Sequence, residues 1–295
     1  MSRNTAISLI LLSALGFGSM ALFASIAYDA GVSPSMLLTL RFAIAVALLA
    51  PLVWLRRAAL PRGRTLAGFV LMGLLYTGQS QAYFTALMHA SSGLVGLLLY
   101  TYPVLVTMLA VAIGSERLDR RTMVLLIVAV AGMAVMLGGD LQGTPLGIML
   151  GLAAAGIYAV YILLGGRITP GVDPLAGTLV IMSIAALGNG GFALAHGSSL
   201  PPTAAAWLAI AAIAALSAVA VATFLVGIRH VGPSQASIIS TLEPVITLCL
   251  GVAVLSESVS GGQLLGGAMV LSAVILLAMR VRAKPHAART QPAPG

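Results

Sequence analysis

Long apolar runs separated by short partings of glycine, proline and charge dominate the chain from end to end. They fall at about 5–28, 34–55, 65–88, 92–114, 122–139, 145–166, 174–195, 204–228, 233–255 and 261–280. Each matches the roughly 20 residues a helix needs to cross a bilayer. The first run is longer than the ~7–15-residue apolar core of a signal peptide and ends in no clear cleavage site, so it is read as a retained helix. The pattern predicts an all-α integral membrane protein with ten transmembrane helices.

Loop charge tests the count. With the amino terminus inside, fourteen of the 15 basic residues fall on the inner side, in groups at 3, 56–64, 117–121, 167, 229 and 280–289. The fifteenth, Arg41, lies within a helix, and the outer loops hold none. Such a bias sets orientation in membranes and predicts that both termini are cytoplasmic.

Internal repetition divides the chain. Placing Thr85–Glu116 over Val226–Glu257 sets His89 on His230, Pro103 on Pro244 and Glu116 on Glu257, each 141 positions apart (230 − 89). Gly16 pairs with Gly156 and Pro34 with Pro174 at a spacing of 140 (156 − 16). Two five-helix repeats follow, over residues 1–139 and 140–282, with 283–295 as a disordered cytoplasmic tail rich in proline. Five is odd, so the second repeat enters the membrane inverted. Inverted repeats of this kind surround a central cavity in secondary transporters.

Composition agrees and narrows the possibilities. The chain is 60% hydrophobic and 7% charged, with a mean hydropathy of +1.08, against about 45–50% and about 25% for soluble domains. The net charge of +8 lies in loops rather than on one folded face, which excludes nucleic acid as a partner. A single cysteine, Cys249, allows no intrachain disulfide, and the four histidines show no ligand spacing, so no metal or other cofactor is expected. Phosphate-loop, metalloprotease and nucleophile-elbow motifs are missing from the sequence, which argues against a pump or a hydrolase.

The paired ends "SSGLVGLLLYTYPV…GSERL" and "VGPSQASIISTLEPV…LSESV" resemble the EamA-type repeats of the drug/metabolite transporter superfamily, over residues 5 to 280 or thereabouts. The resemblance implies ten helices, inverted symmetry and a central cavity. It also implies a transporter of the inner membrane that exports amino acids or related metabolites by alternating access, with a likeness to the aromatic amino-acid exporters. Two positions depart from the family pattern: Phe17-Gly18 stands where Trp-Gly is frequent, and Glu257-Ser258 where Glu-Arg is usual. A proton-coupled drug or metabolite exchanger and a passive, channel-like facilitator remain alternatives. The partners expected are a small-molecule substrate and the lipid bilayer, with monomer and homodimer both open.

Two intramembrane charges stand out, because a charged side chain at membrane depth costs about 2.5–3.5 kcal/mol or more and marks function by default. Glu243 precedes Pro244 in mid-helix and is open to two roles: a proton or amine site, or a structural and gating role at the proline break, which the family's Glu-Pro pairing implies. Arg41 has three options: snorkelling outward, pairing with Glu243, or binding a substrate carboxylate. Pro103 and Pro244, at matched positions, predict kinks that serve as hinges. Tyr76, Gln79 and Tyr83 share one helical face, and Tyr158 and Tyr161 are neighbours on another helix. Together with Tyr100 they are expected to line a substrate cavity suited to a small, partly apolar zwitterion. Ordinary interhelical packing is the plainer account of the same residues.

Overall fold

A computed structural model describes residues 1–117, 119–138, 141–195, 199–256 and 258–282. The expected tail, His196 and Glu257 lie outside the described residues. The rest is helical: α1 (Arg3–Asp29), α2 (Pro34–Leu55), α3 (Gly63–Ala86), α4 (Ser92–Leu99), α5 (Tyr102–Ala112), α6 (Arg120–Leu137), α7 (Pro145–Ile168), α8 (Pro174–Ala195), α9 (Ala204–Val231), α10 (Pro233–Ser240), α11 (Glu243–Leu255) and α12 (Gly261–Arg282). Local chemistry starts these helices. Ser2, Ser33, Ser91, Asp119, Thr144 and Thr203 each accept a backbone N–H of the following turn, which satisfies one of the orphan donors of a helix start. Proline stands in the first turn of α2, α5, α7, α10 and α11, where its missing N–H costs nothing.

Among the described residues, nine stretches are long and apolar enough to cross a membrane. The span Ser92–Ala112 comprises α4 and α5, and the span Pro233–Val254 comprises α10 and most of α11. Large apolar side chains such as Leu187, Leu194 and Leu208 point outward, as a surface bathed in lipid tails allows. The stretch that falls short of the nine is α3. It is 24 residues long, but Tyr76, Thr77, Gln79, Ser80, Gln81 and Tyr83 lower its apolarity. Two flanking helices, α7 and α8, cover it.

The expected kinks are complete interruptions. α4 ends at Leu99 and α5 begins at Tyr102; α10 ends at Ser240 and α11 begins at Glu243. Both gaps keep the 141-residue register (243 − 102). Pro103 and Pro244 each become the second residue of a new helix, so the chain restarts where a proline forbids continuation.

Several helix pairs recur when the two repeats are exchanged. α1 packs on α9 as α7 packs on α3, α2 on α9 as α8 on α3, and α1 on α11 as α7 on α5. α2 meets α8 and α6 meets α12 across the middle. Close approach there requires glycine: a Cβ on Gly132 of α6 would stand 2.8 Å from the carbonyl oxygen of Gly266 on α12. A Cβ on Gly18 would stand 2.6 Å from the carbonyl oxygen of Glu243, so α1 presses on α11 at the break.

Candidate functional site

A cavity of about 1010 Å³ enters the bundle from one end and reaches the two helix breaks. Its mouth is set by the last turns of α1, α3 and α6 and the first turns of α2, α4 and α12. On α3 the i, i+3, i+7 spacing brings Tyr76, Gln79 and Tyr83 onto its wall, and Tyr100, Tyr158, Arg41, Glu243 and Pro244 complete the deeper part. Tyr161 stands behind the wall. It is buried, tilted against Tyr76 with ring centroids 5.6 Å apart, and stacked on Tyr158 at 5.8 Å. Pro103 is also buried away from the cavity. The aromatic series continues from Tyr158 to Tyr102, edge-on at 4.8 Å, and on to Tyr100 at 6.1 Å. Such contacts hold rings in fixed orientations.

Arg41 turns inward. Its Nε donates to Ser217 Oγ at 2.6 Å and its Nη2 to Tyr76 Oη at 2.7 Å. The guanidinium lies 4.9 Å from the ring centroid of Phe42 and 5.8 Å from that of Tyr76, within cation–π range. Snorkelling is therefore not its arrangement here. Glu243 opens α11 on the cavity wall that Tyr100 also lines, while Thr247 Oγ1 donates to the carbonyl of Gly18 at 2.7 Å.

The opposite end is closed. α5 packs on α10 there, whereas their exchange counterparts, α11 and α4, face each other across the cavity without comparable contact. Tyr102 occupies the position equivalent to Glu243. It is buried, and its hydroxyl donates to the carbonyl of Ser237 on α10 at 3.3 Å. Further toward that end, Arg3 Nη2 donates to Gln235 Oε1, and Glu116 Oε1 accepts the backbone N–H of Ser234 at 3.4 Å. A second, smaller cavity of about 460 Å³ opens among these residues.

Other wall residues lie outside the expected set: Phe17, Tyr28, Phe84, Ser92 and Gln263. Tyr28 and Gln263 sit at helix ends, where sequence pattern reads them as interface anchors or loop residues. The interhelical polar groups have local uses instead. Gln81 donates to Asn189 Oδ1 at 2.9 Å between α3 and α8, and the hydroxyls of Ser237 and Thr241 return to carbonyls of their own turn.

The sequence profile described as the EamA-like transporter family matches residues 4–138 and again 145–279. The chain is 27% identical over 256 residues to the "uncharacterized inner membrane transporter YedA" of Escherichia coli K12, covering 83% of this chain and 82% of that protein. It is 28% identical over 214 residues to an "uncharacterized transporter" of Archaeoglobus fulgidus, covering 72% of this chain and 76% of the relative. A solved crystal structure shares the fold at a TM-score of 0.81 with 24% identity, over 94% of this chain and 99% of the other.

Proposed function

The chain belongs to the EamA-like transporter family and is a membrane transporter, not an enzyme; on that premise we propose that it exports amino acids, aromatic ones foremost, by alternating access. Ten helices cross the bilayer in this reading, α3 among them, in inverted repeats at 1–139 and 140–282, with both termini and the 283–295 tail in the cytoplasm. The name of the Escherichia coli relative supports placement in an inner membrane. With that orientation the large cavity faces outward.

One observation carries the mechanism. The half-helices α5 and α10 are packed together at one end, while α4 and α11 stand apart at the other. Under exchange of the repeats these two pairs are equivalent, so the inward-open state is this structure with the two pairs' roles reversed. Tyr76, Gln79, Tyr83, Tyr100 and Tyr158 offer ring faces, hydroxyls and an amide to a small zwitterion with an apolar body, and Tyr161 backs them. Pro103, Pro244 and Glu243 lie at the breaks about which the halves rock, and Arg41 joins α2 to α3 and α9. The closed end weighs against a passive channel. A proton-coupled exchanger has its own support in a carboxyl on the cavity wall beside Tyr100.

Purified protein in proteoliposomes tests the reading. Labelled phenylalanine, tyrosine and leucine are expected to show saturable uptake and counterflow. Flux that rises linearly with concentration and shows no counterflow would make the protein a facilitator. Transport of other metabolites with no amino acid carried would refute the substrate class.

A further inference from the structure

We infer that Arg41 is the docking point for a carboxylate on the transported molecule, which makes the cavity selective for small organic acids, amino acids included. The inference rests on the reading of the cavity as the transport site.

A guanidinium at membrane depth needs a partner or a task. Snorkelling is ruled out by its bonds to Ser217 on α9 and Tyr76 on α3, both of which pull it into the bundle. Pairing with Glu243 does not occur either: among the described residues no carboxylate is in ion-pairing contact with Arg41, although both side chains line the same cavity. The chain thus holds a cation on the cavity wall with two neutral hydroxyls as its hydrogen-bond partners.

The geometry of those bonds matters. Nε and Nη2, the two nitrogens of the guanidinium's side edge, donate to Ser217 and Tyr76, and Nη1 donates to no group among the described residues. The end-on edge, built from Nη1 and the second hydrogen of Nη2, is left for a ligand. It matches the two oxygens of a carboxylate, a bidentate arrangement that ammonium or amide groups cannot replace. Phe42 and Tyr76, themselves in edge contact, pack beside the guanidinium, and with the bonds to Ser217 and Tyr76 they restrain it, so less side-chain freedom is lost on binding. Beyond the guanidinium, the wall carries Tyr28, Tyr83 and Phe84, which suits an apolar or aromatic body attached to the acid.

Acid and amide pairs separate this role from a structural one. Binding of phenylalanine, phenylalaninamide, phenethylamine, 3-phenylpropionate, leucine and leucinamide to the full-length purified protein is measured by calorimetry at one pH. The acids are expected to bind at least about tenfold tighter than their amides or amine, the scale of a charge-assisted bidentate contact. Arg41→Gln should erase that ratio and Arg41→Lys should keep part of it. Should Arg41→Gln not fold, Ser217→Ala, which frees the guanidinium on one side, should shrink the ratio. Equal binding of acid and amide by the native protein, or an acid preference that survives Arg41→Gln, overturns the inference and leaves the transporter reading standing. Preference for 3-phenylpropionate with no binding of either amino acid upholds Arg41 and sinks the amino-acid reading. If no acid binds, both fall.

Discussion

Glu243 begins α11 beside Pro244, on the cavity wall, while its counterpart in the other repeat is the buried Tyr102. The break is shared by both halves and the carboxyl is not, which ties the carboxyl to the fine structure of one hinge rather than to substrate choice. Glutamine keeps the shape and the hydrogen-bonding capacity but removes the titrating proton. Glu243→Gln is therefore expected to retain roughly half or more of counterflow, and Glu243→Ala to lose about tenfold, with the order of preferred substrates unchanged. Loss of pH-gradient-driven transport in Glu243→Gln with counterflow intact would instead assign Glu243 to proton coupling. At this scale the sequence is informative where helical spacing alone decides the facing. Tyr76, Gln79 and Tyr83 share a stripe, and one stripe faces one environment. It is silent where tertiary packing decides. Tyr158 and Tyr161 share a face of α7 as well, yet Tyr158 meets the cavity and Tyr161 is covered by the rings of Tyr76 and Tyr158.

The elements show what an apolar run conceals. Hydropathy reads 92–114 and 233–255 as unbroken spans, because a break costs only a few backbone hydrogen bonds and changes no side chain's polarity. The prolines mark the breaks, but a proline alone does not distinguish a kink from an interruption. Here the residues before each proline, Tyr100-Thr101 and Thr241-Leu242, are left between helices, and Thr101 and Thr241 cap carbonyls three residues back with their hydroxyls at 2.6 Å. The half-helix α10 also starts at the closed end with Glu116 at its N-terminus, where an anion is worth about 1 kcal/mol. The repeat places Glu116 opposite Glu257, but its partner at Ser234 follows from the fold alone, since the two lie 118 residues apart. Glu116→Ala should loosen this closure several-fold. The readout is thiol labelling of Ser115→Cys, a residue of the smaller cavity, in a background lacking Cys249. Labelling that is no faster in the Glu116→Ala protein would show that the carboxylate does not hold the closed end.

For the whole molecule, charge and repeat register carry different information. The 141-residue spacing is visible in His89/His230, Pro103/Pro244 and Glu116/Glu257, and the contacts of α1 with α9 and of α7 with α3 repeat it in space. The plan of the fold was therefore legible because both repeats are built on the same small set of prolines and glycines. The openness of one end was not, because it depends on whether α4 meets α11 or α5 meets α10, and the two arrangements are nearly equivalent under exchange. Orientation rests on the basic loops. If they face the cytoplasm, α1 runs outward, and the turns around Gly31, Gln142 and Leu200 lie outside. Single cysteines at these three positions, in a Cys249→Ser protein, should be labelled in intact cells by a reagent that does not cross the membrane. Cysteines at Arg57 and Ser115 should be labelled only after the cells are opened. Protection of any of the first three in intact cells would break the odd–even alternation of ten helices. The inverted relation of the repeats would fall with it, because five crossings per repeat are what turn the second repeat over.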